Sequence, residues 1–70
     1  MFLTMAPKSR EVRIVKNLAE GGIRRYLESL GVAAGETLRV LSCDQGNVIC
    51  VVKGSRLAFD RKLAEKIIVE

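Results

Sequence analysis

Between residues 22 and 42 the chain changes its hydrophobic period, and that change limits its possible folds more than any other feature. Ile23, Tyr26, Leu27 and Leu30 fall at i, i+3, i+4 and i+7, which is one stripe of an α-helix. Arg24, Arg25, Glu28 and Ser29 take the other face, with Arg24 and Glu28 spaced as an i,i+4 ion pair. From Glu36 the period drops to two, because Leu38 and Val40 alternate with Thr37 and Arg39 as in a half-buried strand. Gly31 follows the stripe where a helix ends in a left-handed residue without Cβ. Gly35 suits a backbone position that needs unusual φ or that a Cβ would crowd. Only Val32, Ala33 and Ala34 lie between the two glycines. A helix over 22–30 therefore turns tightly into a strand over 36–42.

Shorter signals fill in the rest. Residues 11–16, EVRIVK, put Val12 and Ile14 on one face of a strand. Upstream, Ala6-Pro7-Lys8-Ser9 reads as a turn, and residues 2–5 as a short first strand or a frayed terminus. Asp44-Gln45-Gly46-Asn47 is a hairpin turn, followed by a strand over 48–53, a second turn at Lys53-Gly54-Ser55 and a strand over 56–59. Asp60 is placed to cap a helical turn over 61–66, and residues 67–69 make a last strand. If the hairpin loop has three residues, Val40 faces Cys50 and Cys43 faces Asn47; with a two-residue turn Cys43 faces Val48. Neither register makes the two cysteines direct partners, so a disulfide is not expected. Short strands and tight turns predict a mainly β fold, a small closed barrel, with one short amphipathic helix and a helical turn before the last strand.

A chain of 70 residues is one domain, residues 1–70, and buries only about 60% of its unfolded surface. Its residues are 49% hydrophobic but only 4% aromatic, so the core is aliphatic. Twelve basic and eight acidic residues leave a net charge of +4. The basic residues are dispersed, in runs no longer than the pairs Arg24-Arg25 and Arg61-Lys62, and Phe2, Tyr26 and Phe59 are too scattered to stack bases along a basic stripe. Nucleic-acid binding is not expected. The longest apolar run, residues 48–52, is far short of a membrane span, and the first residues lack a signal-peptide pattern, so the expected location is the cytoplasm. With two cysteines, no histidine and no Cys-x-x-Cys, neither a metal site nor a cofactor is expected. No paired carboxylates suggest a catalytic pocket, and Lys53-Gly54-Ser55 is not a phosphate loop. Catalysis is not expected either.

An ordered series of residues then carries a resemblance. It runs through Arg24-Arg25-x-Leu27, Leu30-Gly31 with Gly35, Leu38-x-Val40, Val48-x-Cys50-x-Val52-Lys53-Gly54, Leu57-Ala58 and Ala64-x-x-Ile67-x-Val69. At these spacings the chain resembles the FeoA family, the ferrous iron transport protein A domains. Ala34 stands where that family often has proline, the hairpin tip 43–47 is short for it, and Phe59-Asp60 replaces its commoner Leu-Arg. The resemblance implies an SH3-like barrel that works beside the bacterial ferrous iron permease. It also implies a non-enzymatic, regulatory domain that docks on the permease's cytosolic part and is peripheral to the inner membrane only through it. An SH3-like domain of the iron-dependent repressor type, or a small basic nucleic-acid-binding barrel, are the alternatives.

Partner-binding candidates come from residues whose pattern exceeds what a core needs. Residues 48–52 are apolar on both faces, unlike a half-solvated strand. Cys50 shares a face with Val48 and Val52 and reads as a small hydrophobe. Ile49, Val51 and Leu41 are either covered by the helix or the terminal strand, or form an exposed patch for a partner or a second copy. Arg24 and Arg25 are either a solvated helix face or a docking contact with an acidic surface.

Overall fold

The computed structural model describes residues 1–70. In chain order the elements are β1 (Glu11–Asn17), α1 (Gly21–Ser29), β2 (Thr37–Asp44), β3 (Asn47–Val52), β4 (Ser55–Phe59), α2 (Arg61–Ala64) and β5 (Ile67–Val69). The five strands form one antiparallel sheet in the order β4-β3-β2-β1-β5. All five strands between Glu11 and the C-terminus lie within two residues of where the periodicity and the turn signals place them. The inward side chains of every strand meet in one cluster of 15 buried residues, aliphatic apart from Phe59 and Cys50.

Residues 2–5 do not form a strand. Leu3–Met5 is a single 3₁₀ turn, which buries Leu3 completely and leaves Met5 68% exposed. In a strand those two side chains would share a face. The segment is nonetheless not frayed: Phe2 bridges to Ile68, and Val69 N–H donates to the Met1 carbonyl at 2.8 Å.

The hairpin between β2 and β3 contains elements of both expected registers. Gln45 (φ 53°) and Gly46 (φ 85°) make a two-residue turn, so Asp44 pairs with Asn47 and Cys43 with Val48. Yet Val40 still faces Cys50, because the register shifts at Leu41. That bulge adds one residue to β2 and reconciles the two pairings.

At the helix-to-strand corner, Gly31 N–H donates to the Glu28 carbonyl at 3.0 Å and Val32 N–H to the Leu27 carbonyl at 2.9 Å. This is a Schellman motif, with buried Leu27 and Val32 as its accompanying hydrophobic pair. Gly31 and Gly35 have φ of 99° and 92°. Gly35 N–H donates to the Ile14 carbonyl and Ile14 N–H to the Glu36 carbonyl, fastening the corner to β1. Asn17, buried at the end of β1, holds the corner from the other side. Its amide Nδ2 donates to the Val32 carbonyl at 3.3 Å, and its Oδ1 accepts from Ala19 N–H at 2.9 Å. At α2, Asp60 Oδ1 accepts from Leu63 N–H at 2.9 Å, which is the cap its position predicts.

Candidate docking groove

The α1 stripe exists, but most of it is not in the core. Leu27 is buried and Leu30 half-buried, whereas Ile23 is 59% and Tyr26 64% exposed. These four side chains form one wall of an open groove of about 450 Å³. Residues 56–59 of β4 and Leu63 of α2 complete its lining, with Gly22 at one end. Successive strand residues point to opposite faces, so four consecutive β4 residues can border one groove only if it runs along the strand's edge. β4 is the last strand of the sheet, paired on one side alone. The sequence pattern correctly groups the helical residues on one face. What it does not reveal is that the sheet ends at β4 beside this face and leaves half of the stripe in solvent.

Arg24 and Arg25 are both exposed on α1. Arg24 Nε lies 3.4 Å from Glu28 Oε2, confirming the i,i+4 pair. The Arg25 guanidinium lies near Gly22, where an added methyl group would stand 3.8 Å from Nη2. The chain's other ion pairs are Arg13–Glu70 and Lys53–Glu36. Arg25, Arg56 and Lys62 therefore have no acidic partner. Lys62 borders a second hollow of about 380 Å³, which also includes Glu20 and Asp60 and shares Ile23 and Leu63 with the groove.

Neither α1 nor β5 covers the outer face of β3. α1 stands beside β4, and β5 pairs with β1 at the far end of the sheet. Ile49 is 38% exposed, and Leu41 and Val51 are half-buried. Across the ladder, Val51 pairs with Arg56 and Ile49 with Ala58. The β3 candidates thus adjoin the strand that borders the groove. Sequence reasoning missed Arg56, Leu57, Ala58 and Leu63, whose part in the groove depends on β4 being an edge. The one available signal was a helical stripe with more large apolar side chains than the small core needed.

Cys50 is fully buried, and burial raises its thiol pKa to about 11. Cys43 is half-buried, its Sγ 3.6 Å from the Thr4 carbonyl. Both cysteines are free. No three Cys, Asp or Glu side chains come together as a group able to hold a metal ion. No helix is long and apolar enough to cross a membrane.

A family model described as the FeoA domain matches residues 1–70. A Methanocaldococcus jannaschii protein, named as a candidate Fe(2+) transport protein A, is 40% identical over 68 residues, covering 97% of this chain and 83% of its own. The crystal structure of an iron uptake regulatory protein (FeoA) superposes with a TM-score of 0.85 at 27% identity, covering 99% of this chain and 93% of that one. Stenotrophomonas maltophilia FeoA, crystallised with zinc and proposed in its own case as a ferrous iron transport activating factor, is a prokaryotic SH3 domain protein. It superposes with a TM-score of 0.80 at 25% identity, covering all of this chain and 89% of that one. ScaR with bound Zn2+ shares the fold alone, at 24% identity, a TM-score of 0.84 and 36% coverage of its chain. The match along the whole sequence, joined to the SH3-like architecture, shows that this chain belongs to the FeoA family.

Proposed function

We propose that the domain is a non-enzymatic accessory component of ferrous iron uptake that docks on the cytosolic part of the ferrous iron permease. The observation that carries this reading is the α1–β4 groove. A domain of this size has little apolar surface to spare, yet it leaves Ile23 and Tyr26 largely in solvent beside the free edge of β4. A partner that buried them would recover the contacts the core does not use. Arg24, Arg25, Leu41, Ile49 and Val51 belong to this proposed surface as its flanks, with the groove at its centre.

Tagged domain would be incubated with membranes from cells that express the permease and from cells that lack it. Retention should require the permease and fall at least tenfold in Tyr26→Ala and Ile23→Ala, with both variants still folded. Equal retention by both kinds of membrane would end this reading.

A further inference from the structure

The free edge of β4 says what kind of segment the groove accepts. The β3–β4 connection is a two-residue turn, Lys53 (φ 49°) and Gly54 (φ 80°), closed by the pair Val52 and Ser55. In such hairpins the closing pair exchanges hydrogen bonds, and bonded pairs then alternate with non-bonded ones. Ser55, Leu57 and Phe59 therefore bond to β3, whereas Arg56 and Ala58 turn their N–H and C=O groups away from it. No turn, loop or cap hydrogen bond of the backbone uses those four groups. They face the groove whose opposite wall is the exposed half of the α1 stripe.

We propose that the groove takes an extended, alternately apolar and acidic segment of a partner protein as a sixth strand, hydrogen-bonded to Arg56 and Ala58 of β4. The inference rests on the docking reading above and specifies its chemistry. Unpaired backbone groups along an edge supply the affinity of strand addition, and pockets for alternate side chains supply its specificity. Here the apolar side chains would lie against Ile23, Tyr26 and Leu57. The charge is equally defined: Arg56 lines the groove and Lys62 the adjoining hollow, both without acidic partners, and unpaired Arg25 precedes Tyr26 on α1, while Glu28 is engaged by Arg24 and Asp60 by the α2 N-terminus. Glu20, across the adjoining hollow, is the one unengaged carboxylate nearby. A second copy of this chain fits poorly. Symmetric edge-to-edge pairing would set two Arg56 side chains opposite or diagonal to one another, which like charge disfavours.

The test uses three fluorescein-labelled octapeptides: alternating Val-Glu, the same peptide N-methylated on alternate backbone amides, and alternating Val-Lys. Anisotropy gives affinity, and amide exchange by NMR locates the contact. Val-Glu should bind, with N-methylation and Lys-for-Glu each weakening it at least tenfold. Exchange at Arg56 and Ala58 should slow at least tenfold, and Tyr26→Ala should weaken binding without moving the melt. Equal binding of the N-methylated peptide, or protection confined to other strands, would overturn strand addition. So would concentration-dependent dimerisation of the domain alone that protects the same amides. Ala58→Pro, checked for folding, separates this idea from the docking reading. If permease membranes retain that variant as well as the wild type, docking stands and strand addition fails. If membranes with and without permease retain the domain equally, docking fails, and the peptide results alone decide on strand addition.

Discussion

At the scale of single residues, the two corner glycines differ in what surrounds them. A Cβ on Gly31 would stand 3.0 Å from both Val52 Cγ1 and Lys53 Cδ, whereas one on Gly35 would meet nothing within 4 Å. Both have positive φ, so any L side chain is strained at either position. Gly35→Ala should therefore cost about 1 to 2 kcal/mol from backbone strain alone. Gly31→Val adds a β-branched clash with buried Val52 and should cost clearly more, about 2 to 4 kcal/mol. Urea melts of both variants check the order, and equal midpoints would remove the corner's claim to a tight packing role. Cys50 makes a second residue-scale prediction, on pH. Its thiol is raised from 9.0 to about 11 by burial, so the native state favours the neutral form. The stability this supplies is complete below pH 9 and is lost as pH rises towards 11, where the unfolded chain ionises first. Between pH 8.5 and 10.5, wild type should lose up to about 1.5 to 2 kcal/mol more than Cys50→Ala, as read from urea melts at the two pH values.

At the scale of elements, α1 separates two roles within one stripe. Leu27 is 2% exposed and anchors the helix, so Leu27→Ala should cost about 2 to 5 kcal/mol. Ile23→Ala and Tyr26→Ala remove side chains that are mostly in solvent and should stay within about 0.5 kcal/mol of wild type. Thermal melts of the three variants decide between a wholly packed helix and one that faces a groove. β3 makes the complementary case. Val51 is half-buried and Ile49 38% exposed, so Val51→Ala should cost about 1 kcal/mol and Ile49→Ala less. The β1 terminus adds an element the residue pattern hides. Asn17→Ala would leave Ala19 N–H and the Val32 carbonyl without their partner, a loss of about 1 to 3 kcal/mol. The local pattern does not reveal this, because the bond joins residues 15 positions apart in sequence.

For the whole molecule, the relevant prediction is about iron. The ligand types are carboxylates and two separated thiols, one of them held protonated by burial. Such dispersed donors should bind ferrous iron weakly. Anaerobic titration calorimetry should find no stoichiometric site of micromolar or tighter affinity, and such a site would contradict an accessory domain that does not hold the metal. The net charge of +4 is spread over the surface, and only three ion pairs engage it. Those pairs are exposed and contribute little to stability. Their consequence is what they leave free: the unpaired cations around the groove, which would speed docking to an acidic partner and make it salt-sensitive.

The sequence alone determined the elements and the corner. Periods of 3.6 and two, the glycines that need positive φ and the Asp60 cap are local properties, legible within a few residues of where they act. It also determined which helical residues share a face and which strand residues turn inward. Tertiary structure alone decided what those faces meet. That Leu41 bulges, that Leu3 reaches the core from a 3₁₀ turn and that Asn17 holds the corner all depend on segments distant in the chain. Most consequentially, only the strand order places β4 at an edge and α1 beside it. An amphipathic stripe states that apolar side chains lie together; it does not state whether the chain has enough of itself to cover them. In a domain of this size it does not, and the uncovered part is the groove.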